Sequence, residues 1–194
     1  FFFYSFTQGC VRSSILCDRL HRSMSQLAHE GRLHKITKDW ITKDWTILEN
    51  LSIELQNDHE IISCAVKQSW SALQFASNRL KNDREIVTIA IKQNPIALEY
   101  VSKELCSDRD IALTAVNINW NALKYISKEL CNDREIILIA VNESYLALEY
   151  ASNELQNDRE IALIAIKQNW SAIQYLSPLL KNDREIILIA VEQN

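Results

Sequence analysis

A motif opening Asn-Asp-Arg-Glu-Ile stands at Asn82, Asn132, Asn157 and Asn182, and in looser form as Asn57-Asp-His-Glu-Ile61 and Ser107-Asp-Arg-Asp-Ile111. Each copy begins 25 residues after the last. A fixed period of this size constrains the fold more than any other feature. One copy is too short to bury its own apolar face, so the copies must share a core by stacking on their neighbours. The sequence divides accordingly into an N-terminal segment (residues 1–32), a degenerate first repeat (33–56), five repeats (57–181) and a half copy (182–194). The chain of 194 residues has no initiator Met and stops halfway through a repeat, which reads as a fragment of a longer protein.

Within each copy the fully recurrent apolar positions, Ile61/86/111/136/161/186 and Ala65/90/115/140/165/190, are four residues apart. That is helical spacing; a strand would repeat every second residue. The apolar run Ile136–Val141 also fits a buried strand, and 25 residues suits a leucine-rich repeat, but Ser63, Thr88 and Thr114 interrupt the equivalent positions. Asn82 with Glu85, Asn132 with Glu135, and Asn157 with Glu160 have the spacing of a capping box, which starts a helix. The spacing therefore predicts a first helix of about eleven residues, ended by Asn94, Asn119 or Asn169 in the left-handed conformation. Pro95 marks the start of a second helix, since proline suits a first helical turn. Pro178, directly after Ser177, predicts that this second helix is short or kinked near the recurrent serine. The expected architecture is all-α, an α-solenoid of stacked 25-residue antiparallel helix pairs.

The pattern Asn-Asp-Arg-Glu-Ile-Val/Ile-x-x-Ala-Val/Ile-Lys-Gln-Asn, followed by Ala-Leu-x-Tyr-Ala/Val-Ser-x-Glu-Leu, resembles the family called domain of unknown function 4116 across residues 57–194, and more weakly across 33–56. The family unit spans about two of these repeats. This chain shows such a double period, with Trp70, Trp120 and Trp170 alternating with Pro95 and Tyr145. Relatives commonly carry Gly at that place, so these indoles depart from the pattern. The resemblance implies a helical repeat fold; it implies no activity and no catalytic residues.

Further upstream, Leu16, Leu20, Met24 and Leu27 fall at helical spacing and Gly31 is a stop, so one amphipathic helix is expected between Ser14 and Glu30. His29 and His34 lie five apart, where a zinc-protease helix needs four. Ile36-Thr-Lys-Asp-Trp40 is repeated at once as Ile41-Thr-Lys-Asp-Trp45, and Trp40 stands where later copies have Ala. Phe1–Phe6 lacks the parts of a signal peptide, and no apolar run is long enough to span a membrane.

Composition bears on partners. Residues 57–194 hold 19 Asp+Glu against 14 Lys+Arg, with no basic cluster to track a phosphate backbone, so nucleic acid is not an expected partner. Five cysteines, an odd number without framework spacing, suit a reducing, cytoplasmic setting. Cys106 and Cys131 share one register and are expected as half-buried free thiols. There is no glycine-rich phosphate loop and no zinc spacing, so no cofactor or metal is expected. The recurrent carboxylates behave as caps do, because a catalytic pair would occur once rather than in every repeat. A non-catalytic, monomeric scaffold for an unknown protein or peptide is the expected function. The other class that fits is a structural or regulatory segment of a larger enzyme or effector. Trp70, Trp120, Tyr145 and Trp170 share one register at the turn between the helices and form the candidate partner-binding rim. The competing expectation is that each indole closes the groove between neighbouring repeats.

Overall fold

The computed structural model describes residues 32–193, and every regular element among them is helical. The amphipathic helix expected between Ser14 and Glu30, with Cys10, Cys17 and His29, lies outside the described residues. Seven longer helices mark the repeats: α1 (Arg32–Ile41), α2 (His59–Gln68), α3 (Arg84–Gln93), α4 (Arg109–Val116), α5 (Arg134–Glu143), α6 (Arg159–Gln168) and α7 (Arg184–Glu192). The run Ile136–Val141 that could have been a strand lies inside α5.

The caps fall one residue later than the sequence suggested. Asp83, Asp133 and Asp158, not Asn82, Asn132 and Asn157, are the N-caps. In α5, Asp133 Oδ1 accepts from the backbone N–H of Glu135 at 3.0 Å and of Ile136 at 3.3 Å. Both residues of the Asn-Asp pair are good caps, and spacing to the glutamate cannot separate them. Asn132 serves elsewhere, its oxygen accepting from Ser152. Glu85, Glu135 and Glu160 sit at the second helical position, so no capping box forms.

The second element of each repeat also differs from the expected α-helix. It is a 3₁₀ helix of five or six residues: Trp70–Phe75, Pro95–Tyr100, Trp120–Lys124, Tyr145–Glu149 and Trp170–Tyr175. Asn94, Asn119 and Asn169 are extended, at φ −158°, −160° and −158°, rather than left-handed. Their side chains cap the 3₁₀ helix that follows, accepting from the second N–H beyond them. The element stops before the recurrent serine because that serine's N–H is spent on another part of the fold. Ser77 donates to the Gln56 carbonyl, Ser102 to Lys81, Ser127 to Cys106, Ser152 to Cys131 and Ser177 to Gln156, at 2.9–3.1 Å. A third short turn then leads into the next helix, for example Leu80–Asn82 or Lys103–Cys106. Residues 32–56 run through the same order, with Trp45–Asn50 and Ile53–Gln56 after α1.

Each long helix packs on the long helix of the next repeat, and each 3₁₀ helix on the next 3₁₀ helix. The recurrent Ile and Ala positions make the seam: Ile61, Ala65, Ile86, Ala90, Ala115, Ile136, Ala140, Ile161 and Ala165 have no exposed surface. Alanine there lets adjacent helices approach, and isoleucine fills the space beside it. At Trp40 the seam alanine is replaced and the ring is only half-buried.

Candidate functional site

The four residues of the repeat motif each do a different task. The first, Asn, accepts from the serine hydroxyl twenty residues on: Ser77 to Asn57 at 2.6 Å, and likewise Ser102 to Asn82, Ser152 to Asn132 and Ser177 to Asn157. The second, Asp, caps its own helix. The third, Arg, reaches forward to the next repeat's cap and to the acid two residues beyond it. Arg109 binds Asp133 (2.7 Å) and Glu135, Arg134 binds Asp158 (2.9 Å) and Glu160, and Arg159 binds Asp183 (3.4 Å) and Glu185. The fourth residue, Glu, is thus an acceptor for the preceding arginine rather than a capping-box partner.

These contacts set the protonation of the caps. At Asp133 the Arg109 guanidinium, then the N–H groups of Ile136 and Glu135, hold the carboxyl below its ordinary range. At Asp108 and Asp158 burial pushes upward and is outweighed by the Ile111 or Ile161 N–H and the Arg84 or Arg134 guanidinium. At Asp183 the Ile186 N–H is the largest cause of the lowering.

The aromatic rim is built into the same scheme. Trp70 stacks on Tyr100 of the next repeat with ring centroids 6.2 Å apart, and Trp120 packs on Tyr150 at 6.4 Å. Trp70, Trp120 and Tyr145 are half-buried, while Trp170 is 43% exposed. The backbone N–H of Trp70 donates to Gln93 Oε1 (2.9 Å) and that of Trp120 to Glu143 Oε2 (2.8 Å), each acceptor lying 23 residues on. Gln93 also donates to the Val66 carbonyl, as Gln168 does to Val141. Pro95 has no N–H to give, and the residue 23 positions on is Ile118, which has no acceptor. Donor and acceptor are lost together.

That loss belongs to a cluster of departures from the repeat. Ser107 replaces the stapling Asn, and its hydroxyl turns back to the Lys103 carbonyl at 3.1 Å. Ser127 Oγ is buried and has no asparagine to donate to. The Glu129 carboxyl is held below its ordinary range first by Glu129's own N–H and then by the Ser127 hydroxyl. Asp110 replaces Glu, and Arg84 reaches it only at 3.7 Å. With Pro95 in the Trp register, Tyr125 lacks the indole neighbour that Tyr100 and Tyr150 have; Lys124 Nζ lies 5.6 Å from its ring centre. Lys124 is itself a departure, since Gln74, Glu99, Glu149 and Gln174 hold that register.

An open depression of about 560 Å³ lies where these departures meet, walled by Leu98, Lys103, Ser107, Lys124, Tyr125 and Ser127. A second, of about 510 Å³, adjoins it and shares Glu99, Val101 and Lys103. Lys103, Ser107 and Lys124 are exposed. Cys106 also lines the larger depression; burial pushes its thiol upward, as it does that of Cys131, so neither is an activated nucleophile. Sequence reasoning missed this site because it followed what recurs. Ser107 and Lys124 were visible as departures from the period, but nothing in the sequence brought them together.

Helices that recur every 25 residues and share one core define an all-helical repeat protein. Five overlapping matches, at residues 36–81, 65–106, 108–156, 133–179 and 158–194, place this chain in the family described as a domain of unknown function (DUF4116), and the chain belongs to that family. Each match spans nearly two repeats, in keeping with the double period. No curated protein and no solved structure matches the chain significantly. Among the described residues no helix is long and apolar enough to cross a membrane, and no group of three His, Cys, Asp or Glu side chains is placed to hold a metal ion.

Proposed function

We propose that this chain is a non-catalytic α-solenoid scaffold that binds a protein or peptide partner, with the depression around Tyr125 as its contact site. The observation that supports this reading is the gathering of non-recurrent residues. In a repeat array, recurrent positions maintain the stack, so a surface built from departures is free to serve something else. Here Ser107 and Lys124, both exceptions to the period, line one concave surface with Tyr125, whose register keeps its aromatic while Pro95 replaces the indole thirty residues before it. Trp70 and Trp120, engaged with Tyr100 and Tyr150, fit the role of closing the groove between repeats. Trp170, the most exposed of the rim, is a secondary contact in this proposal.

The test places a photoreactive phenylalanine analogue at position 124 and, separately, at position 149, the same register one repeat on. Irradiation in cells expressing the chain is expected to yield a protein adduct at 124 and none at 149. The same adduct should re-form from the purified pair. Equal labelling at the two positions would refute the site.

A further inference from the structure

The face around Trp170 has a chemistry of its own, and assigning it rests on the scaffold reading above. Of the stretches that follow the long helices from Trp70 onward, 70–82, 95–107, 120–132 and 170–182 all carry Lys or Arg, whereas 145–157 carries Glu149 and Glu154 and neither cation. Glu154 accepts from the Asn132 carboxamide at 3.3 Å. Glu149 is exposed, and among the described residues no Lys or Arg pairs with it. Lys181 of the following stretch donates to the Gln174 carbonyl at 2.9 Å. The rings beside Glu149 also depart from the array. Phe75, Tyr100 and Tyr150 each pack on the indole thirty residues before them, with centroids 6.2–6.4 Å apart. Tyr175 has Tyr145 in that place, and no ring pair joins the two among the described residues. The 3₁₀ helices Tyr145–Glu149 and Trp170–Tyr175 pack on each other. Burial, then the Glu149 carboxylate and the Tyr145 and Tyr150 phenols, push the Tyr175 hydroxyl above its ordinary range, so these four groups share one neighbourhood. Trp170, the exposed indole, begins the same 3₁₀ helix that ends at Tyr175. One repeat earlier the register of Glu149 is held by Lys124, whose Nζ lies 5.6 Å from the Tyr125 ring centre. There the chain brings its own cation to a ring; at Glu149 it brings an anion.

We infer that this face binds an arginine-bearing peptide segment, the guanidinium pairing with Glu149 and lying flat on Tyr175 while an adjoining apolar residue rests on Trp170. Charge complementarity favours a cation, since an unpaired carboxylate stands among phenol rings whose faces are negative. Geometry favours arginine over lysine. A planar guanidinium stacks on a ring and still donates to a carboxylate, whereas an ammonium is a compact, strongly hydrated point charge. The photoreactive ring placed at position 149 replaces this carboxylate, so that control reports the face without its anion.

The test is an NMR titration of the ¹⁵N-labelled chain with the peptide acetyl-Gly-Leu-Arg-Leu-Gly-amide and with its citrulline and lysine counterparts. Citrulline keeps the shape of arginine without its charge. The arginine peptide is expected to shift the amides of Glu149, Tyr150, Gln174 and Tyr175 saturably, with at least roughly tenfold weaker binding of the citrulline peptide. Glu149→Gln should weaken binding by a similar factor and leave the melting temperature unchanged, because the side chain is exposed. Tyr175→Leu keeps an apolar group and removes the ring face, and it should weaken the arginine peptide more than the citrulline one. Absence of saturable shifts, equal binding of the arginine and citrulline peptides, or unchanged affinity in Glu149→Gln would overturn the assignment. So would equal binding of the lysine peptide, which marks a general cation site. A specific adduct at position 124 without arginine-peptide binding would sink this chemistry and leave the scaffold reading standing; loss of both would sink both.

Discussion

Ser152 and Ser127 occupy one register, 25 residues apart, in turns whose backbones make the same bond: Ser152 N–H to the Cys131 carbonyl at 3.0 Å and Ser127 N–H to the Cys106 carbonyl at 2.9 Å. The side chains diverge. The Ser152 hydroxyl donates to Asn132, whereas that of Ser127 has no asparagine opposite it, Ser107 standing in that register. The ion pairs in the matching register do not divide the two turns: Arg134 grips both Asp158 and Glu160, and Arg109 grips both Asp133 and Glu135. The weaker pair lies one repeat earlier, where Arg84 holds Asp108 but reaches Asp110 only at 3.7 Å. Yet the apolar seam runs through both regions unchanged, with Ala115 and Ala140 both fully buried. The difference teaches that the stack is carried by the apolar seam and the backbone bonds between turns. The Asn–Ser staple is a refinement that one repeat can omit.

Acid should produce the largest effect, because it acts on both regions at once. Asp108, Asp133, Asp158 and Asp183 all have folded-state values below the ordinary carboxylate range, so the unfolded chain takes up protons first. Their contribution to stability is complete above the unfolded value near 3.8 and is lost as pH falls through the lower folded values. Melting temperatures should therefore be flat from pH 7 to 5 with respect to these groups and fall steeply below about 4. A fall beginning near neutrality in a variant lacking the histidines would contradict this account.

The seam supplies the next largest effect. Ala115→Leu and Ala140→Leu should each destabilise by about 1–3 kcal/mol through overpacking. Denaturant midpoints measure it, and a clear difference between the two would mean that the core, not only the polar staples, distinguishes the regions. The caps come third: Asp108→Ala and Asp133→Ala should each cost about 1 kcal/mol. Thermal melts of both variants against Asn132→Ala would sharpen the cap assignment, since the asparagine variant leaves all the helix N–H acceptors in place.

The smallest pair of changes goes in opposite directions. Asn132→Ala should make the regular region resemble the irregular one, orphaning Ser152 at a cost of up to about 1 kcal/mol. Ser107→Asn should do the reverse and stabilise by a similar or smaller amount. If Ser107→Asn destabilises instead, the carboxamide does not reach Ser127 and the two turns differ in backbone as well as in side chain.

Much of the fold was legible in the sequence because it depends on local, repeated properties. The period of 25, the four-residue spacing of Ile and Ala, and the Pro95 start signal indicated an all-helical repeat and, to within one residue, where its first two elements begin. These features act within a few residues or recur often enough to average out exceptions. Only the tertiary structure showed which of two adjacent capping residues does the capping: Asp133 takes the helix N–H groups, while Asn132 accepts from Ser152, twenty residues away. The same is true of the second element, which is held to a short 3₁₀ helix by a serine N–H committed to the preceding turn. It is true above all of the candidate site. Pro95, Ser107, Lys124 and Ser127 are spread over more than one repeat, and their meaning lies in contacts that each lost or failed to make. A sequence shows that a residue is exceptional; where the partner of that exception sits is set by how the turns stack, because a hydrogen bond depends on distances between segments that no local propensity determines.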